Sequence, residues 1–260
     1  MPRLAANLSM LFTEVEFTER FSRAARAGFK GVEYLFPYDY SAAQLRALLD
    51  EHQLTQVLFN LPAGNWSAGE RGIACLPDRV AEFREGVEQA ILYAHILGNR
   101  QVNCLAGIKP DGYDDAVIAA TFSENLQYAA DKLAGAGIKL VMEPLNTCDV
   151  PGFYLHNTRQ ALEIIARVNR PNLFIQYDIY HMQIMEGDLA RTMQKNLAMI
   201  HHIQLADNPG RHEPGTGEIN YPFILAHLDA IGYDGWVSCE YNPATTTEAG
   251  LDWMKSYIIS

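Results

Sequence analysis

The chain predicts an α/β fold, a single closed (β/α)8 barrel spanning residues 1–260, on three observations. Short apolar runs alternate with amphipathic stretches eight times along the chain. The length of 260 residues is about what one such barrel uses, with no linker or low-complexity tract to mark a second domain. Four successive apolar runs also stop at a side-chain oxygen: Ile138 to Glu143, Asn172 to Asp178, Ile200 to Gln204 and Gly235 to Glu240.

The elements follow in order. Leu4 to Leu8 reads as a strand, and Phe17 to Ala27 carries apolar residues at helical spacing until Gly28 stops it. A strand from Gly31 to Leu35 precedes a helix from Ala42 to Glu51, capped by Ser41. A third strand, Leu54 to Asn60, opens into a long Gly- and Pro-bearing loop, Leu61 to Asp78, that holds Trp66, Glu70 and Arg71. Loops of that length in a compact domain usually serve function. A helix from Arg79 to Leu97 closes at Gly98, and strand four covers Gln101 to Leu105.

The helix Asp114 to Ala136 leads to the strand that ends at Glu143. Pro144 follows at once; it cannot donate to a ladder and biases Glu143 towards extended geometry, which sets that carboxylate at the strand's carboxyl end. Asn157 or Thr158 caps a helix to Val168, strand six ends at Asp178, and a helix from Leu189 to Leu197 precedes strand seven. A second Gly- and Pro-rich loop, Pro209 to Asn220, a helix Tyr221 to Ile231, strand eight and a closing helix Thr246 to Tyr257 complete the count. Right-handed crossovers then favour a closed parallel barrel over an open sheet.

Composition bounds the partners. A formal net charge of -11 opposes binding to a phosphate backbone, so nucleic acid is not expected. Cys75, Cys104, Cys148 and Cys239 lie far apart without a Cys-x-x-Cys pair, which fits a reducing, cytoplasmic setting. Asn7, Ser9, Thr13 and Glu14 interrupt the first apolar residues before a signal-peptide core or membrane span could form, so a soluble protein with no membrane association is expected.

Barrels of this kind carry their chemistry at the carboxyl ends of the strands, where all four oxygens and both long loops fall. A lone acid at a strand end is more often a helix cap or a solvated residue; in register, Glu143, Asp178, Gln204 and Glu240 form a site for a hard divalent cation. Period-two alternation sets Val141, Gln176, His202 and Ser238 one layer below, and the three polar ones among them are expected to hydrogen-bond up to the ligands. Alternation also lets only one of His201 and His202 reach the interior, and the phase selects His202. His181, three residues past Asp178, is placed to reach over the site towards substrate. The run Pro214-Gly215-Thr216-Gly217 lacks the lysine and context of a P-loop and reads as a flexible lid. A substrate carboxylate needs a cation from the loops, and Arg71 and Arg211 are the candidates, with Glu70 beside them; the plain alternative is that each arginine pairs with an acid such as Glu70 or Glu213.

Several stretches carry a resemblance that covers essentially the whole chain. They are Ala6-Asn7-Leu8-Ser9-Met10-Leu11-Phe12, Gly31-Val32-Glu33-Tyr34 with Phe36-Pro37-Tyr38, Asn60-Leu61-Pro62-Ala63-Gly64, and Ala68-Gly69-Glu70-Arg71-Gly72-Ile73-Ala74-Cys75. Tyr177-Asp178-Ile179-Tyr180-His181-Met182 and Glu213-Pro214-Gly215-Thr216-Gly217-Glu218-Ile219-Asn220-Tyr221 complete the set. The sequence resembles the hydroxypyruvate isomerases, of the xylose-isomerase-like TIM-barrel superfamily that also holds ketose 3-epimerases. The resemblance implies an isomerase that interconverts hydroxypyruvate and tartronate semialdehyde through an enediolate, with Glu143 and Glu240 as proton donor and acceptor. It implies a metal ion, Mg2+ first and Mn2+ second, on Glu143, Asp178, Gln204 and Glu240. Related epimerases use histidine where Gln204 stands, which is a departure. The alternatives are an isomerase of a longer 2-oxo acid such as 2-oxo-tetronate, or a ketose 3-epimerase. DNA-repair endonucleases of the superfamily use more histidines and a basic face, which the charge here opposes. The expected partner is a small 2-oxo acid, with self-association into a homo-oligomer left open.

Overall fold

Each strand in the computed structural model is parallel to its neighbours, and residues 2–257 are described. The strands are β1 (Arg3–Asn7), β2 (Gly31–Glu33), β3 (Thr55–Leu58), β4 (Gln101–Cys104), β5 (Lys139–Met142), β6 (Leu173–Asp178), β7 (Ile200–Leu205) and β8 (Trp236–Cys239). Their order is β3-β2-β1-β8-β7-β6-β5-β4. The two ends meet through a parallel bridge between Asn60 and Asn103. There the Leu61 N–H donates to the Asn103 carbonyl at 2.8 Å and the Asn103 N–H to Phe59 at 3.0 Å, so the sheet closes into a barrel.

Helices α1 (Phe17–Arg26), α2 (Ala42–Glu51), α3 (Val80–Leu97), α4 (Asp115–Gly135), α5 (Thr158–Val168), α6 (Ile179–Met185), α7 (Leu189–Asn196) and α8 (Tyr221–Ala230) surround it. Local chemistry sets their ends. Ser41 Oγ accepts the Gln44 N–H to start α2, and of the two candidate caps for α5 it is Asn157 that accepts the Gln160 N–H, at 2.8 Å. Phe83, Val87, Ala90 and Ala94 form the buried stripe of α3, which Gly98 ends in the left-handed region. Strand residues such as Leu4, Ala6, Val102, Leu140 and Met142 pack in the large core with the helices, whereas Ala5, Val57, Leu58 and Val141 form a separate small apolar cluster. Among the described residues no helix is long and apolar enough to cross a membrane.

Three features depart from the sequence reading. A short helix, α6, starts directly after β6 because the Asp178 carboxylate caps it, accepting the N–H groups of Tyr180 and His181. The closing segment is not an α-helix but two 3-10 turns, Glu248–Gly250 and Asp252–Ser256. Thr247 there is committed to the loop after β1: its Oγ1 accepts the Phe12 N–H at 2.6 Å and its hydroxyl donates to Glu14. Third, the β6–β7 register runs Ile175 opposite Ile200, then Gln176 opposite His202, which leaves His201 as an extra residue in β7. A bulge breaks strict alternation, so His201 and His202 both turn to Gln101. The expectation that only one reaches the interior is thereby corrected.

The loop after β7 also differs from the flexible lid expected of it. Asp207, fully buried, accepts four backbone N–H groups: Asn208 and Ile219 on Oδ1, Gly215 and Gly217 on Oδ2, all at 2.9–3.0 Å. The Gly-rich run does hold an anion, and the anion is the protein's own carboxylate. Gly217 has to be glycine, since a Cβ there would sit 2.0 Å from the Asn208 carbonyl oxygen.

Replacing Asp207 by Ala leaves buried N–H groups without an acceptor, at about 1–3 kcal/mol each where water cannot substitute. Amide exchange at Gly215, Gly217 and Ile219 is predicted to accelerate and the denaturation midpoint to fall. Unchanged protection of those three amides in the variant would show that Asp207 does not hold the loop.

Candidate active site

The closed barrel brings the strand ends together. Glu143 follows β5, Asp178 ends β6, Gln204 is the fifth residue of β7, and Glu240 follows β8. All four are buried. One ligand atom each from Glu143, Asp178, His181 and Glu240 lies within 4.8 Å of the others. His181 thus joins the three predicted carboxylates directly, being carried there by the first turn of α6.

Each acid has its own set of donors. Glu143 Oε2 accepts from Asn103 Nδ2 at 3.0 Å, and its Oε1 meets no donor among the described residues. Glu240 Oε1 accepts from Asn7 Nδ2 at 2.9 Å and from Gln204 Nε2 at 3.2 Å, while Oε2 takes Arg211 Nη2 at 2.8 Å. Asp178 Oδ1 is used as the helix cap. Its Oδ2 is buried without a hydrogen-bond donor, 3.8 Å from His181 Nε2. Gln204 is placed as expected, yet it turns its NH2 towards Glu33 and Glu240 and its oxygen to Gln176 Nε2, 2.6 Å away. An amide oxygen has two lone pairs, so that bond leaves one unused.

Electrostatics follow from burial and crowding. Burial first, then repulsion from Glu240 and Asp178, pushes the Glu143 carboxyl well above the ordinary carboxylate range. Burial likewise raises Glu240, with Arg211 opposing and Asp178 and Glu33 adding to the rise. Burial pushes the His181 ring down to about 4. Its tautomer is fixed as well: the Asn146 backbone N–H donates to Nδ1 at 3.2 Å, and a backbone amide can only donate. The proton therefore sits on Nε2, which faces Asp178 and the acid cluster as a neutral donor.

The acid cluster lies at the floor of a cavity of about 330 Å³, whose walls include Trp66, Arg71, Leu105 and Val150. Arg211 lies beside Glu240 with its guanidinium carbon 5.1 Å from the Tyr180 ring centroid and its buried Nε unpartnered. Its backbone has φ 53, a left-handed conformation costly for arginine. The Asn242 N–H donates to its carbonyl at 2.9 Å, and the loop around it is the one Asp207 fastens. Arg71 packs its guanidinium 4.3 Å from the Trp66 ring centroid and spends only Nη1 on backbone carbonyls, those of Trp66 and Glu70. Glu70 is a correction: it does not line the cavity, because its carboxylate is taken by Arg79 and the Asn65 N–H.

Of the three residues expected beneath the ligands, Gln176 holds Gln204 as stated. His202 faces inward but bonds to Glu33, at 2.8 Å, and not to a predicted ligand. Ser238 is fully buried, and its hydroxyl meets no hydrogen-bond partner among the described residues. It pairs in register with Gln204, one level higher than alternation alone suggested. Sequence reasoning missed Asn7, Glu33 and Asn103. Asn7 and Glu33 end β1 and β2, where the strand-end rule was not applied, whereas Asn103 is the third residue of β4 and carries no such mark.

With this geometry established, the chain compares as follows. The family model of the xylose isomerase-like TIM barrel matches residues 21–257. Hydroxypyruvate isomerase of Escherichia coli (strain K12) is 55% identical over 257 residues, covering 99% of this chain and 100% of that one. The 2-oxo-tetronate isomerase of Cupriavidus necator is 48% identical over 258 residues, 99% of each chain. A crystal structure from Brucella melitensis, described as an AP endonuclease of family 2, matches with a TM-score of 0.97 at 50% identity, over 99% of both chains. Matched along nearly its whole length by that barrel model and by these isomerases, the chain belongs to the hydroxypyruvate isomerase family of the xylose isomerase-like TIM barrels.

Proposed function

We propose that the chain is a metal-assisted isomerase of a small 2-oxo acid, hydroxypyruvate first, which it interconverts with tartronate semialdehyde. The observation that carries the metal is Asp178 Oδ2, a fully buried carboxylate oxygen without a donor, set among Glu143 and Glu240. Carboxylate oxygens with one amide oxygen, that of Gln204, suit a hard divalent cation such as Mg2+ or Mn2+. When bound, such an ion would stabilise the negative charge that develops on the substrate oxygens as a proton leaves the carbon next to the carbonyl.

The remaining work falls to side chains. Glu143 Oε1 can take a proton without giving up an existing bond, and Glu240 can take or return one through Oε2, beside Arg211. His181 Nε2–H and the Arg211 guanidinium, both at the cavity, supply neutral and charged donors for a substrate oxygen. Trp66, Leu105 and Val150 keep bulk water from the reacting carbon. Arg71 offers Nε and Nη2 as a fork for the substrate carboxylate, stiffened by the Trp66 ring beneath it.

A longer 2-oxo acid, 2-oxo-tetronate, is the second reading; the Cupriavidus necator relative carries that name, and the cavity exceeds what a three-carbon acid fills. The nuclease name of the Brucella melitensis structure finds less support, given the net charge of -11.

Three outcomes are expected. Chelation should abolish turnover of hydroxypyruvate and added Mg2+ or Mn2+ should restore it; activity indifferent to chelator would remove the metal from the mechanism. Glu143→Gln and Glu240→Gln should each lower kcat by about 10²–10⁴-fold while metal still binds, since an amide cannot accept the proton; near-normal turnover in either would move the proton chemistry elsewhere. Arg71→Lys keeps the charge and loses the fork, so it should weaken use of a 2-oxo acid more than that of an uncharged ketose. Equal losses on both would refute the clamp.

A further inference from the structure

Inside the barrel a line of polar side chains runs from its amino-terminal mouth to the acid cluster, and the direction of every hydrogen bond in it can be assigned. At the mouth Lys139, the first residue of β5, donates to His201 Nε2. An ammonium only donates, so His201 carries its proton on Nδ1. That proton goes to Gln101 Oε1, at 2.6 Å. The amide end of Gln101 consequently faces His202 Nδ1, at 3.2 Å, which makes that nitrogen the acceptor and leaves the His202 proton on Nε2, 2.8 Å from Glu33 Oε2.

Glu33 receives donors on both oxygens. Asn7 Nδ2 lies 3.0 Å and Gln204 Nε2 2.7 Å from its Oε1. Despite burial, donors on both oxygens, His202 on Oε2 and the two amides on Oε1, favour the carboxylate form of Glu33 and hold it below the ordinary range. The same two NH2 groups reach on to Glu240 Oε1, at 2.9 Å and 3.2 Å. A glutamine amide could present either end to Glu240; the Glu33 charge decides which.

We propose that Glu33 is a positioning residue for catalysis. Held by the spine Lys139, His201, Gln101 and His202, it turns the NH2 end of Gln204 onto Glu240 Oε1, beside that of Asn7, whose oxygen takes the Ser9 N–H, and so keeps Oε2 aimed at Arg211 and the cavity. The inference rests on the reading of Glu240 as a proton-transfer group and goes beyond it by naming what orients that group. Fold stability alone does not explain the arrangement, because a buried charge held by neutral donors is no more stabilising than apolar residues of similar volume. The bulge that turns His201 inward serves the spine directly.

Two measurements test this on the full chain. Nitrogen-15 spectra of the histidine rings should show His201 in the Nδ1–H form and His202 in the Nε2–H form; the same tautomer in both rings would overturn the spine. Glu33→Gln keeps the shape but removes the anchor, and should lower kcat by about tenfold or more with KM changed less than about twofold. Lys139→Met, at the far mouth of the barrel, should change the His201 tautomer and lower kcat by about two- to fivefold. A kcat within error of the parent in both variants, or losses confined to KM, would overturn the positioning role. A chain that turns over no 2-oxo acid would sink the functional reading instead, while the ring spectra would still decide the spine.

Discussion

Three buried carboxylates, Glu143, Asp178 and Glu240, gather around one guanidinium, that of Arg211, and a fourth, Glu33, is buried behind Glu240. Like charges about 4 Å apart repel by roughly 4 kcal/mol at an effective dielectric near 20. The surroundings of the site can be read as ways of living with that repulsion. Asn103 on β4 donates an amide hydrogen to Glu143, and Asn7 on β1 donates to Glu33 and Glu240. Burial and mutual repulsion keep the Glu143 and Glu240 carboxyls above their ordinary range, and a bound cation would reverse that direction.

The same constraint explains why a barrel core, usually filled with branched apolar side chains, is here partly polar. Apolar filling is confined to the small cluster around Ala5, Val57, Leu58 and Val141, and beside it runs the column from Lys139 to Glu33. Arg211 has to reach the acids from a loop, and its left-handed backbone is held by Asn242 and by a loop that Asp207 ties down. Strain at the site and four hydrogen bonds to one buried carboxylate are therefore parts of one arrangement.

Much of this was legible in the sequence because strand ends are strongly marked. Pro144 fixed the phase at Glu143, and eight strand-helix units in the available length left little choice of fold. Glu33, Asn7 and Asn103 were harder to read, since a single amide or acid on a short strand looks like any other polar residue until its partner across the barrel is known. The bulge at His201 follows from a register mismatch between β6 and β7, which no period within one strand reports. Asp207 and the Gly215–Gly217 run are eight to ten residues apart, and only the folded loop shows that one binds the other. Glu70 failed for a simpler reason: Arg79, the residue just before α3, competes for it.

The central claim is that this excess of buried negative charge exists to hold one divalent cation at the strand ends. Anomalous diffraction from crystals grown with Mn2+ tests it most directly. The account predicts a single strong peak bounded by carboxylate oxygens of Glu143, Asp178 and Glu240, with Asp178 Oδ2 among the ligands. A saturating Mn2+ soak that leaves that position empty, or fills a site elsewhere in its place, would contradict it.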